Sequence, residues 1–160
     1  MSEPHEVDHD ARRVALIEKY NPTNQPAGSA DVCTGGVDHL ALICSDVGQT
    51  IEFYTEVLGM TINKIMPNRD EPSSTHIFLD MGGNNYLAFF DFPKKGPGKA
   101  QRGIGGMHHL ALKGTPEQYA TLINVLRERG IKHDVQGDGS SGAVYFRDPD
   151  DILLEVTTGY

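Results

Sequence analysis

The tetrapeptide His-Leu-Ala-Leu occurs twice in this chain, as His39-Leu40-Ala41-Leu42 and as His109-Leu110-Ala111-Leu112. Four residues alone are a weak signal, but the residues downstream of each copy turn it into a constraint. Both copies read as an apolar strand, and both lead into helical periodicity that stops at a glycine. From His39 to Gly59 is 20 positions, and from His109 to Gly130 is 21. A supersecondary unit has been duplicated. Neither copy can bury its apolar face alone, so the chain must pair the two.

The first unit begins with a strand over residues 37–44. Asp46 is a good N-cap for a helix over 47–58, where Val47, Ile51, Tyr54, Val57 and Leu58 fall at helical spacing. Gly59 supplies the stop. Residues 60–66, 75–81 and 86–92 read as strands, with Gly82-Gly83-Asn84-Asn85 as a hairpin signal. The second unit repeats this order. A strand over 107–113 is followed by Thr115 as cap, Pro116 in the first turn, and Glu117 and Gln118 nearby. Tyr119, Leu122, Ile123, Val125 and Leu126 supply a buried helix face, and Gly130 ends it. Strands over 131–135, 143–146 and 152–157 come next, with Asp148-Pro149-Asp150-Asp151 as a turn.

The predicted fold class is α+β: two paired βαβββ modules forming a curved, partly closed mixed sheet around a metal-centred cavity. Module one takes residues 36–93, a Gly-, Pro- and Lys-rich linker takes 94–105, and module two takes 106–160, so that 36–160 form one domain. Residues 1–35 read as an N-terminal extension, a short amphipathic helix carrying Val14, Ile17 and Tyr20 followed by linker composition from Asn21 to Ser29. The sequence leaves open whether the modules close on each other or on those of a partner chain.

Strand alternation then places the chemistry. His39, Ala41 and Ile43 share one face, and Leu40, Leu42 and Cys44 share the other, which the helix should cover. His39 therefore points to the concave side, and His109 obeys the same rule. In the last strand Leu153, Glu155 and Thr157 share a face. A carboxylate among Ile152, Leu153, Leu154 and Val156 is very costly to bury without a partner. A divalent cation held by His39, His109 and Glu155 satisfies all three. Two histidines and one carboxylate with open positions suit non-haem Fe(II), and also Mn(II), Ni(II), Co(II) or Zn(II).

Composition narrows the partners. The formal charge is -8, which gives no basic footprint for nucleic acid. Of the two cysteines, Cys33 and Cys44, neither lies in a Cys-x-x-Cys pair. No stretch approaches the roughly 18 apolar residues of a membrane span, so the expected setting is cytoplasmic, with a small-molecule substrate and no membrane or nucleic-acid partner.

The segments Val37-Asp38-His39-Leu40-Ala41-Leu42, Ile51-Glu52-Phe53-Tyr54-Thr55-Glu56-Val57-Leu58-Gly59, Gly106-Met107-His108-His109-Leu110-Ala111-Leu112, and the run from Val144 to Val156 resemble the vicinal oxygen chelate superfamily. That superfamily includes glyoxalase I, methylmalonyl-CoA epimerase, extradiol dioxygenases, fosfomycin-resistance enzymes and bleomycin-resistance proteins. The resemblance implies metal ligands on the first strand of each unit and on the last strand of one or both. His39, His109 and Glu155 match three of these places. The fourth falls near Ala88 or Phe89, and neither can bind a metal. This departs from the four-ligand pattern of glyoxalase I and epimerases. It leaves the three-ligand pattern of dioxygenases and fosfomycin enzymes. Ala41, where the fosfomycin enzymes carry Thr, argues against the latter.

Tyr145, ten residues before Glu155, resembles the substrate-binding tyrosine of extradiol enzymes. Among the other histidines, His76 is the acid–base candidate, His133 reads as a surface residue, and His108 is expected on the helix side. Phe89, Phe90 and Phe92 read as core and cavity wall, and Arg147 as the partner of a nearby carboxylate. The resemblance implies an Fe(II) extradiol-type dioxygenase acting on a small catechol-like substrate, with dimerisation as a homodimer. The alternatives are a glyoxalase- or epimerase-like lyase or isomerase working through an enediolate, and a ligand-sequestering resistance protein without chemistry.

Overall fold

The computed structural model describes residues 9–20, 34–92, 99–138 and 140–159. The linker composition after Asn21, Cys33 and the Lys94-Lys95 pair lie outside these residues. The chain divides into two units, residues 1–36 and 37–160. In the first, α1 (His9–Tyr20) forms where amphipathic periodicity predicts it. It carries a local Arg13–Asp10 ion pair at 3.0 Å, and Lys19 lies 4.9 Å from the centre of the Tyr20 ring.

The second unit contains both copies of the repeat. Module one runs β1 (His39–Cys44), α2 (Val47–Glu56), β2 (Thr61–Pro67), β3 (Thr75–Gly82), β4 (Asn85–Asp91). Module two runs β5 (Leu110–Lys113), α3 (Pro116–Glu128), β6 (His133–Gly137), β7 (Gly142–Arg147), β8 (Leu153–Thr157). The strands form two four-stranded mixed sheets of the same plan, β1-β4-β3-β2 and β5-β8-β7-β6. In each, the first strand runs parallel to the last and the remaining pairs are antiparallel. This is the paired βαβββ architecture expected from the repeat, with the two sheets remaining separate rather than closing into a barrel.

Local chemistry explains the elements. Asp46 adopts an extended conformation and its side chain accepts from the Gln49 N–H, capping α2. Thr115 and Gln118 form a reciprocal capping box on α3. The β3–β4 hairpin has Gly83 and Asn84 at φ of 64° and 63°, the left-handed pair that a tight two-residue turn between twisted strands requires.

One apolar core unites the modules. Tyr54, Leu79, Leu87 and Phe89 of module one pack in the same cluster as Tyr119, Leu126, Phe146 and Leu154 of module two. Phe53 and Phe146 rings lie 6.3 Å apart. Polar links reinforce the junction. Tyr54 donates to Asp148 at 3.1 Å, the Ser45 N–H donates to Asp150 at 2.9 Å, and Arg129 pairs with Glu56 at 2.8 Å. The core lies on the helix side of the sheets, where Leu40, Leu42 and Cys44 point as alternation predicts. The opposite face of β1, with His39, Ala41 and Ile43, is exposed. Among the described residues no helix is long and apolar enough to cross a membrane.

Candidate metal centre

The paired registers of the two sheets identify equivalent positions. Ala41 of β1 lies opposite Ala88 of β4, and Ala111 of β5 lies opposite Glu155 of β8. Ala88 is therefore the module-one counterpart of Glu155, one of the two positions left open by sequence. Phe89, its neighbour, faces the core and sits 5.0 Å from Tyr54. The next strand extends the equivalence. Tyr145 of β7 stands opposite Glu155, and Phe78 of β3 stands opposite Ala88.

In module two the donors converge. The Glu155 side chain is fully buried, and its Oε2 lies 3.0 Å from His109 Nε2. The other ring nitrogen of His109, Nδ1, is 2.6 Å from Nδ1 of His108. When His109 donates its Nδ1 hydrogen to His108, its Nε2 lone pair and the carboxylate face one point. Donors so placed could hold a cation between them. The Tyr145 ring stands 6.2 Å from His109, edge-on.

In module one, His39 Nδ1 lies 2.6 Å from Asp38 Oδ1. A carboxylate on Nδ1 leaves Nε2 for a ligand. His39 meets the Phe78 ring edge-on at 5.5 Å. Further along β3, His76 stacks on Phe90 at 3.7 Å and 17°. Its Nε2 is buried with no hydrogen-bond partner among the described residues. Burial, and secondarily the nearby His39, holds its pKa below the usual histidine value, so the ring is neutral at physiological pH. Among the described residues, no three His, Cys, Asp or Glu side chains gather into a group able to hold a metal ion. Within one chain His109 and Glu155 stand together, and His39 does not complete their set.

Several expectations change. His108 is exposed beside His109 rather than directed to the helix side, because the strand begins at Leu110 and alternation does not govern the residues before it. Sequence reasoning overlooks its role as the partner of His109, for which the His-His adjacency is the signal. His133 is half-buried and bonded to the Ile131 carbonyl at 2.8 Å. Arg147 donates to the Asp151 carbonyl rather than to a carboxylate. The phenylalanines divide, with Phe89 in the core and Phe90 stacked between His76 and Phe92.

A family model described as Glyoxalase/Bleomycin resistance protein/Dioxygenase superfamily matches residues 36–156. The chain is 28% identical over 123 residues to the uncharacterised protein YwkD of Bacillus subtilis, covering 75% of this chain and 94% of that one. It is 30% identical over 130 residues to a probable lactoylglutathione lyase of Vibrio parahaemolyticus, covering 76% and 89%. It is 32% identical over 84 residues to the putative ring-cleaving dioxygenase MhqE of B. subtilis, which spans 49% of this chain and only 27% of MhqE. Among solved structures, a glyoxylase/bleomycin resistance protein/dioxygenase domain from Frankia superposes with TM-score 0.70 at 20% identity, covering 80% of this chain and all of that one. The fosfomycin resistance protein FosX from Listeria monocytogenes, complexed with Mn(II), superposes with TM-score 0.63 at 17% identity, covering 80% and 95%. These two likenesses are likenesses of fold.

Proposed function

The chain belongs to the Glyoxalase/Bleomycin resistance protein/Dioxygenase superfamily, and from that premise we propose a metal-dependent enzyme whose metal is held by His39, His109 and Glu155. The observation that carries this reading is the fully buried Glu155 carboxylate facing His109 Nε2 at 3.0 Å. The carboxylate oxygen and the imidazole nitrogen present two donors to one point, a pairing that suits a divalent cation. Two neutral imidazoles and one carboxylate fit a divalent ion. Fe(II) leads, and the same donors admit Mn(II), Ni(II), Co(II) or Zn(II). Because one chain brings together His109 and Glu155 without His39, the third ligand comes from a second copy in a homodimer. The exposed β1 face supports this arrangement.

The lead reaction is extradiol-type ring cleavage of a small catechol-like molecule. A bound metal supplies Lewis acidity and a template for a substrate with two adjacent oxygens. Tyr145, opposite Glu155, orients the substrate through its hydroxyl. His76, whose Nε2 has no hydrogen-bond partner among the described residues, accepts a substrate proton. Ala88, in the place of a fourth ligand, leaves room for two substrate oxygens. The test is oxygen uptake by protein reconstituted anaerobically with Fe(II), across a panel of catechols. Uptake with a ring-opened product is expected, and no uptake on any member of the panel overturns the dioxygenase reading.

The match to the Vibrio lyase is longer than that to MhqE, which favours as second reading a lyase or isomerase with His76 as the base. Solvent exchange of the α-proton of a hydroxycarbonyl substrate, without oxygen uptake, supports it. A native protein free of metal, whose His109→Ala variant still binds ligand, supports instead a sequestering role.

A further inference from the structure

At the C-terminal end of β1 the two modules border a cavity of about 370 Å³, whose wall includes Leu42, Cys44, Lys99, Met107, Asp150 and Ile152. None of the three proposed metal ligands lines it. Its volume falls within the range of small-molecule sites. Leu42, Cys44, Met107 and Ile152 make much of the wall apolar, and Cys44 and Ile152 are buried. Asp150 is the exception. It is 4% exposed, and its Oδ2 accepts from the Ser45 N–H at 2.9 Å across the module junction. Its Oδ1 has no hydrogen-bond partner among the described residues. Asp148 adds a second buried carboxylate beside it, but there both oxygens are filled, by the Asp150 and Ile152 N–H groups and by the Tyr54 hydroxyl. Neither aspartate forms an ion pair among the described residues. Lys99 reaches the cavity wall and donates instead to the Pro149 carbonyl. A carboxylate accepts at both oxygens, and a buried one ordinarily has both filled. At Asp150 the chain fills one.

We infer that this cavity binds a small organic ammonium with an apolar body, its charged end donating to Asp150 Oδ1 and its body lying against Leu42, Cys44, Met107 and Ile152. An ammonium supplies both the donor and the positive charge that Asp148 and Asp150 lack. A lone water would satisfy Oδ1 but would leave the apolar wall without packing partners. A metal ion does not suit the place, because no three His, Cys, Asp or Glu side chains gather among the described residues. The site stands apart from the metal reading and does not rest on it: Leu42 and Cys44 point to the core side of β1, away from His39.

The experiment is equilibrium binding of n-butylamine, n-butanol and methylamine to the full-length chain at neutral pH, where both amines are protonated. Butylammonium is expected to bind at least about tenfold more tightly than n-butanol, the scale of one charge-assisted hydrogen bond. It should also bind at least about tenfold more tightly than methylammonium, which leaves the apolar wall uncovered. Asp150→Asn keeps an acceptor for the Ser45 N–H and should remove the preference over n-butanol. A second readout locates the site without that variant. In a Cys33→Ser chain Cys44 is the one remaining thiol, and it lines the cavity. Burial pushes this thiol up to about 11, so labelling with methyl methanethiosulfonate is followed under mildly alkaline conditions. Butylammonium at about ten times its Kd should slow that labelling about tenfold. The inference is overturned if butylammonium and n-butanol bind alike, if methylammonium matches butylammonium, if Asp150→Asn keeps the preference, or if the amine leaves Cys44 labelling unchanged.

Discussion

His108 and His109 differ by one position and do different things. His109 presents Nε2 to Glu155, and His108 holds the opposite nitrogen. His108 is exposed and contributes little packing, so His108→Phe should leave the melting temperature nearly unchanged. It should weaken metal binding by about 10- to 100-fold, the usual effect of removing the partner of a ligating histidine. Metal titration of the variant followed by elemental analysis checks this, and unaltered affinity would show that His108 does not orient the ring. Strand alternation is enough to read His39 and Glu155 from sequence. It fails at His108 because alternation is a property of extended, paired backbone, and the chain at that point has not yet entered the sheet.

The 148–151 turn shows how one element serves the whole assembly. Asp148 is buried, and its Oδ1 accepts from the N–H groups of Asp150 and Ile152 at 2.9 and 2.8 Å. Its Oδ2 accepts from Tyr54 of the other module. Asp148→Ala strands three donors in the interior and should cost about 3 kcal/mol in urea unfolding. Asp148→Asn, which keeps an acceptor for the turn, should cost much less. Burial raises the Asp148 pKa above its usual value. The folded chain therefore binds this proton more readily than the unfolded chain. Its contribution favours folding below pH of about 3.8 and is lost as pH rises through the raised value. Asp148→Asn should lack that pH dependence, and an unchanged profile would exclude Asp148 as its source. The sequence marks these residues as a turn through proline and local Asx bonding. It holds no sign that Asp148 meets Tyr54, 94 positions away.

At the scale of the molecule, the two modules share a core on their helix sides and leave the His39 face of β1 open. If His39 of one copy completes the His109–Glu155 pair of another, two inactive variants complement each other. His39→Ala and Glu155→Ala chains, mixed and allowed to exchange, form dimers in which one of the two sites has all three ligands. About a quarter of the wild-type metal sites should return on statistical pairing, measured as bound metal per chain. A mixture that binds no more metal than its separate components would place all three ligands within one chain.

The duplicated unit and its strands and helices were legible in the amino-acid sequence. Each rests on a local property: helical or strand periodicity, a cap, or a glycine at a turn. Tertiary structure decided that Ala88 rather than Phe89 is the counterpart of Glu155, because register depends on which residues pair across a ladder. It also brought His109 to Glu155 while leaving His39 out of a three-donor group. Convergence of ligands depends on how two sheets are set against each other. That setting comes from the shared core and from contacts such as Tyr54–Asp148, Ser45–Asp150 and Arg129–Glu56, whose partners lie far apart in the chain.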